Sequence, residues 1–139
     1  MGIQQFEIVL DSKVQGMHLV TDEIFSQIPN LTSMNSGLLH LFIQHSSASI
    51  SINECADPDV RNDLEGFYDE LCNDKSYYKH TAEGPDDMPS HVKASMLGSS
   101  VNIPITNGRP NLGVWQGILL GEHRVNAGSR RLIATLIYN

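Results

Sequence analysis

Cysteine is scarce in this chain. Its 139 residues include only Cys55 and Cys72, and neither has the spacing of a zinc ribbon or a redox C-x-x-C pair, so both are expected as reduced thiols. The opening MGIQQFEIVL has no basic leader followed by a long apolar run, and no later stretch approaches the roughly eighteen uncharged apolar residues of a membrane span. A cytoplasmic location is expected, where the Asn30-Leu31-Thr32 sequon has no use. Neither G-x-G-x-x-G nor G-x-x-x-x-G-K-[ST] occurs, which removes a Rossmann dinucleotide site and a P-loop. Without G-x-S-x-G there is no nucleophile elbow, and Ser46 is merely adjacent to His45 in sequence. Positive charge is also short, with 9 Lys and Arg against 16 Asp and Glu and a net charge of −7. That balance argues against a general nucleic-acid partner or an anionic membrane surface.

No repeat, low-complexity tract or linker divides the chain, so residues 1–139 are expected to form one domain around one core. Ile3 to Leu10 reads as a strand, and Thr21 to Ile28 as a short helix capped by Thr21 and stopped by Pro29. Leu38 to Gln44 reads as a buried strand, with Leu39, Leu41, Ile43 and then His45 on one side. From Ser47 the alternation sharpens, setting Ser47, Ser49 and Ser51 against Ala48, Ile50 and Ile52, and the serine face is expected to meet solvent or a second subunit. Asp57-Pro58 opens a helix with an apolar stripe of Val60, Leu64, Phe67 and Leu71. Its charged residues Arg61, Asp63, Glu65, Asp69 and Glu70 are expected to be solvated. Val101 to Ile105, Val114 to Glu122 and Leu132 to Tyr138 complete the strands, with a tight turn at Asn107-Gly108 and with Glu122 and His123 facing apart. The expectation is an α+β domain with a mixed, largely antiparallel sheet and helices packed on it.

The densest chemistry lies in HTAEGPDDMPSHVKASMLG, from His80 to Gly98. Asp86 and Asp87 suit the positive end of a helix, Pro89 its first turn and Gly98 its end. His91 then falls near the helix start, beside carboxylates and a second imidazole, His80.

Three runs carry a family likeness: HSSASISINECADPDVRNDLE from His45, EGPDDMPSHVKASMLGSSVNIPI from Glu83 and LGVWQGILLGEHR from Leu112. They resemble the YjbQ family, UPF0047, across nearly the whole chain. The resemblance implies a compact α/β domain with a mixed sheet, assembled as a homotrimer, and a weak thiamine-phosphate synthase capacity. It carries the site over to His45, His80, His91, Asp87 and Glu122. Ser46 stands where members commonly have threonine. In one large branch cysteine and phenylalanine lie near the positions of Gly121 and His123, which weighs against His123 as a site residue.

Three imidazoles with a carboxylate nearby make a workable shell for a divalent cation, Zn²⁺ or Mg²⁺, with an open position for water or a substrate oxygen. His45, His80 and His91 are the expected ligands, with Asp87 and Glu122 as catalytic carboxylates. A thiamine-phosphate synthase expels pyrophosphate and so needs positive charge. Lys93, Arg124, Arg130 and Arg131 are candidates, of which Lys93 and Arg130 are the expected phosphate ligands. The reading is therefore a small YjbQ-like enzyme acting on a phosphorylated small molecule. A metal-dependent enzyme with a different phosphorylated substrate, or a trimeric binding module without turnover, would also suit these residues.

Overall fold

Alternate burial along the strands divides the chain into two antiparallel sheets with a shared core. The computed structural model describes residues 1–139. In chain order they form β1 (Gly2–Leu10), β2 (Gly16–Leu19), α1 (Thr21–Phe25), β3 (Ser36–Ile43), β4 (Ala48–Glu54), α2 (Pro58–Cys72), α3 (Asp87–Leu97), β5 (Ser100–Thr106), β6 (Arg109–Pro110), β7 (Gln116–Glu122) and β8 (Arg130–Tyr138). One sheet runs β1-β8-β3-β5-β6 and the other β2-β7-β4. Every pairing is antiparallel, so the parallel component of the expected mixed sheet is missing. Leu39, Leu41 and Ile43 of β3 and Leu132, Ala134 and Leu136 of β8 point inward from the first sheet. Ala48 and Ile50 of β4 with Ile118 and Leu120 of β7 meet them from the second.

The β5–β6 hairpin turns at Asn107 and Gly108, both in the left-handed region, as an Asn-Gly pair allows. Glycine is required here, because a Cβ on residue 108 would lie 2.7 Å from the Thr32 backbone. Helix α1 is shorter than expected, and Thr21 does not cap it. Its hydroxyl instead accepts the Ile118 amide at 2.9 Å, tying the helix to β7.

The layer between the second sheet and α2 and α3 is polar, and this reverses two expectations. Ser49 is fully buried beside α3, not solvated, and its Oγ lies 2.9 Å from His123 Nε2. Gly121 makes that contact possible, since a Cβ there would collide with both Ser49 and the His123 ring. On α2 the second half of the apolar stripe faces outward, leaving Phe67 60% and Leu71 45% exposed, while Val60 and Leu64 are half-buried. Arg61, Glu65 and Asp69 turn toward the protein instead. Lys93 of α3, only 1% exposed, donates to Asp69 Oδ1 at 2.6 Å, and Arg61 Nη1 and Glu65 Oε2 are buried without partners. The helix takes this rotation because a buried ammonium and imidazole need polar neighbours more than a leucine needs cover. Burial, assisted by Asp69, holds the Glu65 carboxyl above its ordinary pKa.

Cys72 is buried with its thiol pKa raised by burial, and Cys55 is also free, as expected. No helix is long and apolar enough to cross a membrane.

Burial, reinforced by Lys93 and Arg130, drives the His123 pKa down to about 3. A histidine neutral in the fold and basic when unfolded binds more protons in the unfolded chain, so stability is lost as pH falls below about 6.5. The stability gap between wild type and His123→Phe should shift by about 3 kcal/mol against wild type between pH 7.5 and 4.5. Urea titrations at both pH values measure this, and a constant gap would mean that His123 protonates in place.

Candidate metal centre

A carboxylate and an imidazole four residues apart share one helix face, and this spacing opens α3. Asp87 is the first helical residue, His91 lies one turn on, and Gly98 ends the helix. The loop from α2 brings in His80. Tyr78 anchors that loop by donating its hydroxyl to the Cys72 carbonyl at 2.6 Å, and Gly84, at positive φ, turns it toward α3. His80 Nε2 then lies 2.6 Å from Asp87 Oδ2, and His91 Nε2 lies 3.4 Å from Asp87 Oδ1. One ligand atom from each of the three residues lies within 4.8 Å of the other two.

The protons in this cluster are constrained. His91 Nδ1 is 3.0 Å from the Ser46 carbonyl, which can only accept, so Nδ1 carries hydrogen. In a neutral ring, Nε2 then turns its lone pair toward a carboxylate oxygen. Asp87 Oδ2 is buried and has no hydrogen-bond donor, because His80 approaches closely but off the line such a bond requires. The His91 lone pair and an orphaned buried carboxylate oxygen, with the His80 ring close beside it, call for a positive charge among them. Two imidazoles and a carboxylate fit Zn²⁺ or a similar first-row ion, with a coordination position left open, better than Mg²⁺, which favours oxygen ligands.

Arg124 holds this arrangement from behind. Its Nε donates to Asp86 Oδ2 and its Nη1 to Asp87 Oδ1, both at 2.8 Å, while Nη2 donates to the Glu83 carbonyl at 3.1 Å. The contact with Asp86 raises the arginine pKa still further. Burial alone would raise the Asp86 pKa, but the hydrogen bonds from Arg124 and the Val125 amide outweigh it and lower it. Expected as a phosphate candidate, Arg124 is instead consumed by carboxylates.

His45 lies apart from the three. Its Nε2 accepts the Arg131 amide at 2.9 Å, which leaves hydrogen on Nδ1, packed 3.2 Å from Arg130 Nη1, so neither ring nitrogen offers a lone pair to an ion. Burial, followed by the Arg130 charge, lowers its pKa. It shares with His91 only a cleft of about 440 Å³ that also includes Ser46, Ser95 and Ser99. Asp87, expected as a catalytic acid, thus takes the place in the cluster expected of His45.

Glu122 and Arg130 are placed differently from their expected roles as catalytic acid and phosphate ligand. Arg130 donates through Nε to Glu122 Oε1 at 2.7 Å and through Nη2 to Oε2 at 2.6 Å, with both residues buried. Arg130 Nη2 also reaches the Ser47 carbonyl at 3.2 Å, and the Arg124 amide donates to Glu122 Oε2 at 3.1 Å. With both oxygens committed, Glu122 is a structural carboxylate joining β7 of one sheet to β8 of the other. Lys93, the other expected phosphate ligand, is buried against Asp69 and has no open face. Glu122 and His123 do face apart, the first toward Arg130 and the second toward Ser49. Sequence reasoning missed the Arg124 clamp, whose only local sign was an arginine in the same run as Glu122.

A family profile described as UPF0047 protein YjbQ-like matches residues 5–139. UPF0047 protein YjbQ of Escherichia coli O157:H7 is 53% identical over 132 residues, covering 95% of this chain and 96% of that protein. Its namesake in Salmonella typhimurium LT2 is 49% identical over the same shares. Among solved structures, a YbjQ-like protein of unknown function from Sulfolobus solfataricus superposes with a TM-score of 0.85, covering 99% of each chain at 20% identity, a likeness of fold. An uncharacterised conserved protein of the yjbq/upf0047 family from Clostridium acetobutylicum has a TM-score of 0.79 at 32% identity, covering 95% of this chain and 98% of its own.

Removing one partner of the buried pair leaves the other charge uncompensated. Glu122→Ala should therefore cost about 3 to 5 kcal/mol in urea denaturation. Unchanged stability would show that Glu122 does not hold the sheets together.

Proposed function

The chain belongs to the YjbQ-like UPF0047 family, and from that premise we propose that it is a small metal-dependent enzyme acting on a phosphorylated small molecule. Thiamine-phosphate synthesis is the reaction the family resemblance implies. The observation that carries the proposal is the orphaned Oδ2 of buried Asp87, 2.6 Å from His80 Nε2, in a cluster where His91 brings its own Nε2 to the other carboxylate oxygen.

His80, Asp87 and His91 would hold the cation. When bound, it would polarise a phosphoryl oxygen and neutralise charge developing on a leaving phosphate. The Ser46 carbonyl keeps His91 in the tautomer that offers Nε2. Arg124 keeps Asp87 turned, holding Oδ1 so that Oδ2 stays available. On the His91 side, the hydroxyls of Ser46, Ser95 and Ser99 border a cleft with room for the polar part of a substrate. Exposed Val114 and Trp115, within the LGVWQG run, support the homotrimer as part of the same proposal.

Elemental analysis of protein prepared without chelator should find close to one zinc per chain. Asp87→Asn and His91→Ala should each lose most of that metal and most turnover on a panel of phosphate esters and thiamine precursors, whereas His45→Ala should keep the metal. Wild-type protein without metal, or metal retained in both Asp87→Asn and His91→Ala, would remove the site.

A further inference from the structure

The two sheets have four edges, and the fold closes three of them. The first sheet ends on one side in β6, which is two residues long, and Pro104 and Pro110 on that side have no amide to offer. In the second sheet β2 is only four residues long, and the Ile50 amide of β4 is taken at 3.2 Å by the carbonyl of Gly98, where α3 ends. The remaining edge is β1, nine residues paired with β8 along one side only.

β1 is closed over just part of its length. The Gln27 side chain accepts the Val9 amide at 3.0 Å and donates to the Val9 carbonyl at 2.9 Å, the two bonds a neighbouring strand would make. Just beyond, Glu23 Oε2 accepts the Asp11 amide at 2.7 Å. Because Val9 turns its backbone groups away from β8, alternation turns those of Ile3, Gln5 and Glu7 the same way. No side chain caps them as Gln27 caps Val9. The polar side chains along this stretch lean back over the sheet instead, where Gln5 donates to Thr135 Oγ1 at 3.0 Å and Glu7 accepts from Arg131 at 2.8 Å. The strand has no proline, lysine or bulge, the usual protections of a free edge.

We infer that the edge from Ile3 to Glu7 is an interaction surface for a second copy of this chain, which pairs with it antiparallel about a two-fold axis at Gln5. Among identical chains, a head-to-tail assembly through sheet edges needs two different open edges, whereas a single open edge pairs only with itself. In this register Gln5 faces its own copy and Ile3 faces Glu7 of the partner subunit, so three pairs supply about six backbone hydrogen bonds. Charge permits the approach although each chain carries −7, since Glu7 is the one charged residue of β1 and Arg131 neutralises it. Ile3, 68% exposed, is covered by the stems of that ion pair. On the other face Phe6, which already packs against the core, meets Gln4 of the partner subunit. None of His80, Asp87 and His91 lies on β1, so the contact stands apart from the cation reading.

The test uses the whole chain. Sedimentation equilibrium should give the wild type an even multiple of the 15.4 kDa chain mass, and Gln5→Pro should halve the mass while leaving the circular dichroism spectrum unchanged. Proline at this position removes an outward amide and no bond to β8, so the strand itself is kept. Substitution to cysteine gives a second reading. Opposite residues of such a pair have Cα atoms about 5.5 Å apart, within disulfide range. Under copper-phenanthroline oxidation, Gln5→Cys should therefore form interchain disulfide at least about fivefold faster than Gln4→Cys, which is as exposed but does not face its own copy. A wild-type mass that is an odd multiple of the chain, a mass unchanged by Gln5→Pro, or equal cross-linking of the two cysteine variants would overturn the pairing.

Discussion

The buried ion pair between Glu122 and Arg130 sits where the chain passes from one sheet to the other, and the site depends on it. Glu122 ends β7 and Arg130 begins β8, so their two-pronged contact fixes the distance between the sheets at that end. The same guanidinium reaches the Ser47 carbonyl, just before β4, and faces His45, just after β3, so a second crossing is tied to the same point. The segment between Glu122 and Arg130 carries Arg124, which clamps Asp86 and Asp87. A buried ion pair gives little net stability once its desolvation is counted, but losing one partner is costly. Its effect here is geometric. It sets where Arg124 stands, Arg124 sets how Asp87 points, and Asp87 draws His80 and His91 together.

A second constraint acts on α3 from below. Lys93 is two residues beyond His91 and points into the protein, where Asp69 meets it, while Ser49 and His123 form the buried polar contact against which α3 lies. An ammonium that must reach Asp69 fixes the rotation of α3 about its axis, and this rotation sets which way Asp87 and His91 face. The cost appears on α2, where Phe67 and Leu71 are left in solvent and Arg61 and Glu65 keep buried atoms without partners. The outward stripe that results runs into a groove beside His80 through Leu71.

What could be read in the sequence and what could not divides by the range of the interaction. Leu39, Leu41 and Ile43 show their buried side by alternation alone, the Asn107-Gly108 turn by its residue types, and α3 by Asp86, Pro89 and Gly98 at its ends. The approach of Asp87 to His91 follows from four-residue spacing. Long-range partners leave no such trace. Nothing near Lys93 in sequence announces Asp69, 24 residues away, and a lysine on a helix ordinarily faces water. His45 lies two residues past the end of β3 at Ile43, not within the strand as alternation suggests, and its ring meets Arg130 and Arg131, 85 and 86 residues on. The stripe on α2 misled because apolar periodicity shows which faces differ, not which one the neighbouring layer accepts.

A chain of net charge −7 must overcome its own field to draw in any anion, and the arginines nearest the cluster do not do so. Arg124 is surrounded by Asp86, Asp87 and the Glu83 carbonyl, and Arg130 by Glu122, so each neutralises its own carboxylates before any substrate arrives. Such saturated arginines are scaffolding: they fix the direction of the acids they hold. Attraction for an anion then has to come from what those acids bind. In the proposed function a dication on Asp87 and the two histidines would supply it, and the arginines would then serve to position an aspartate. Under that proposal phosphate recognition and metal occupancy would be one property, since without an ion the cluster presents a buried carboxylate oxygen to an anion and repels it.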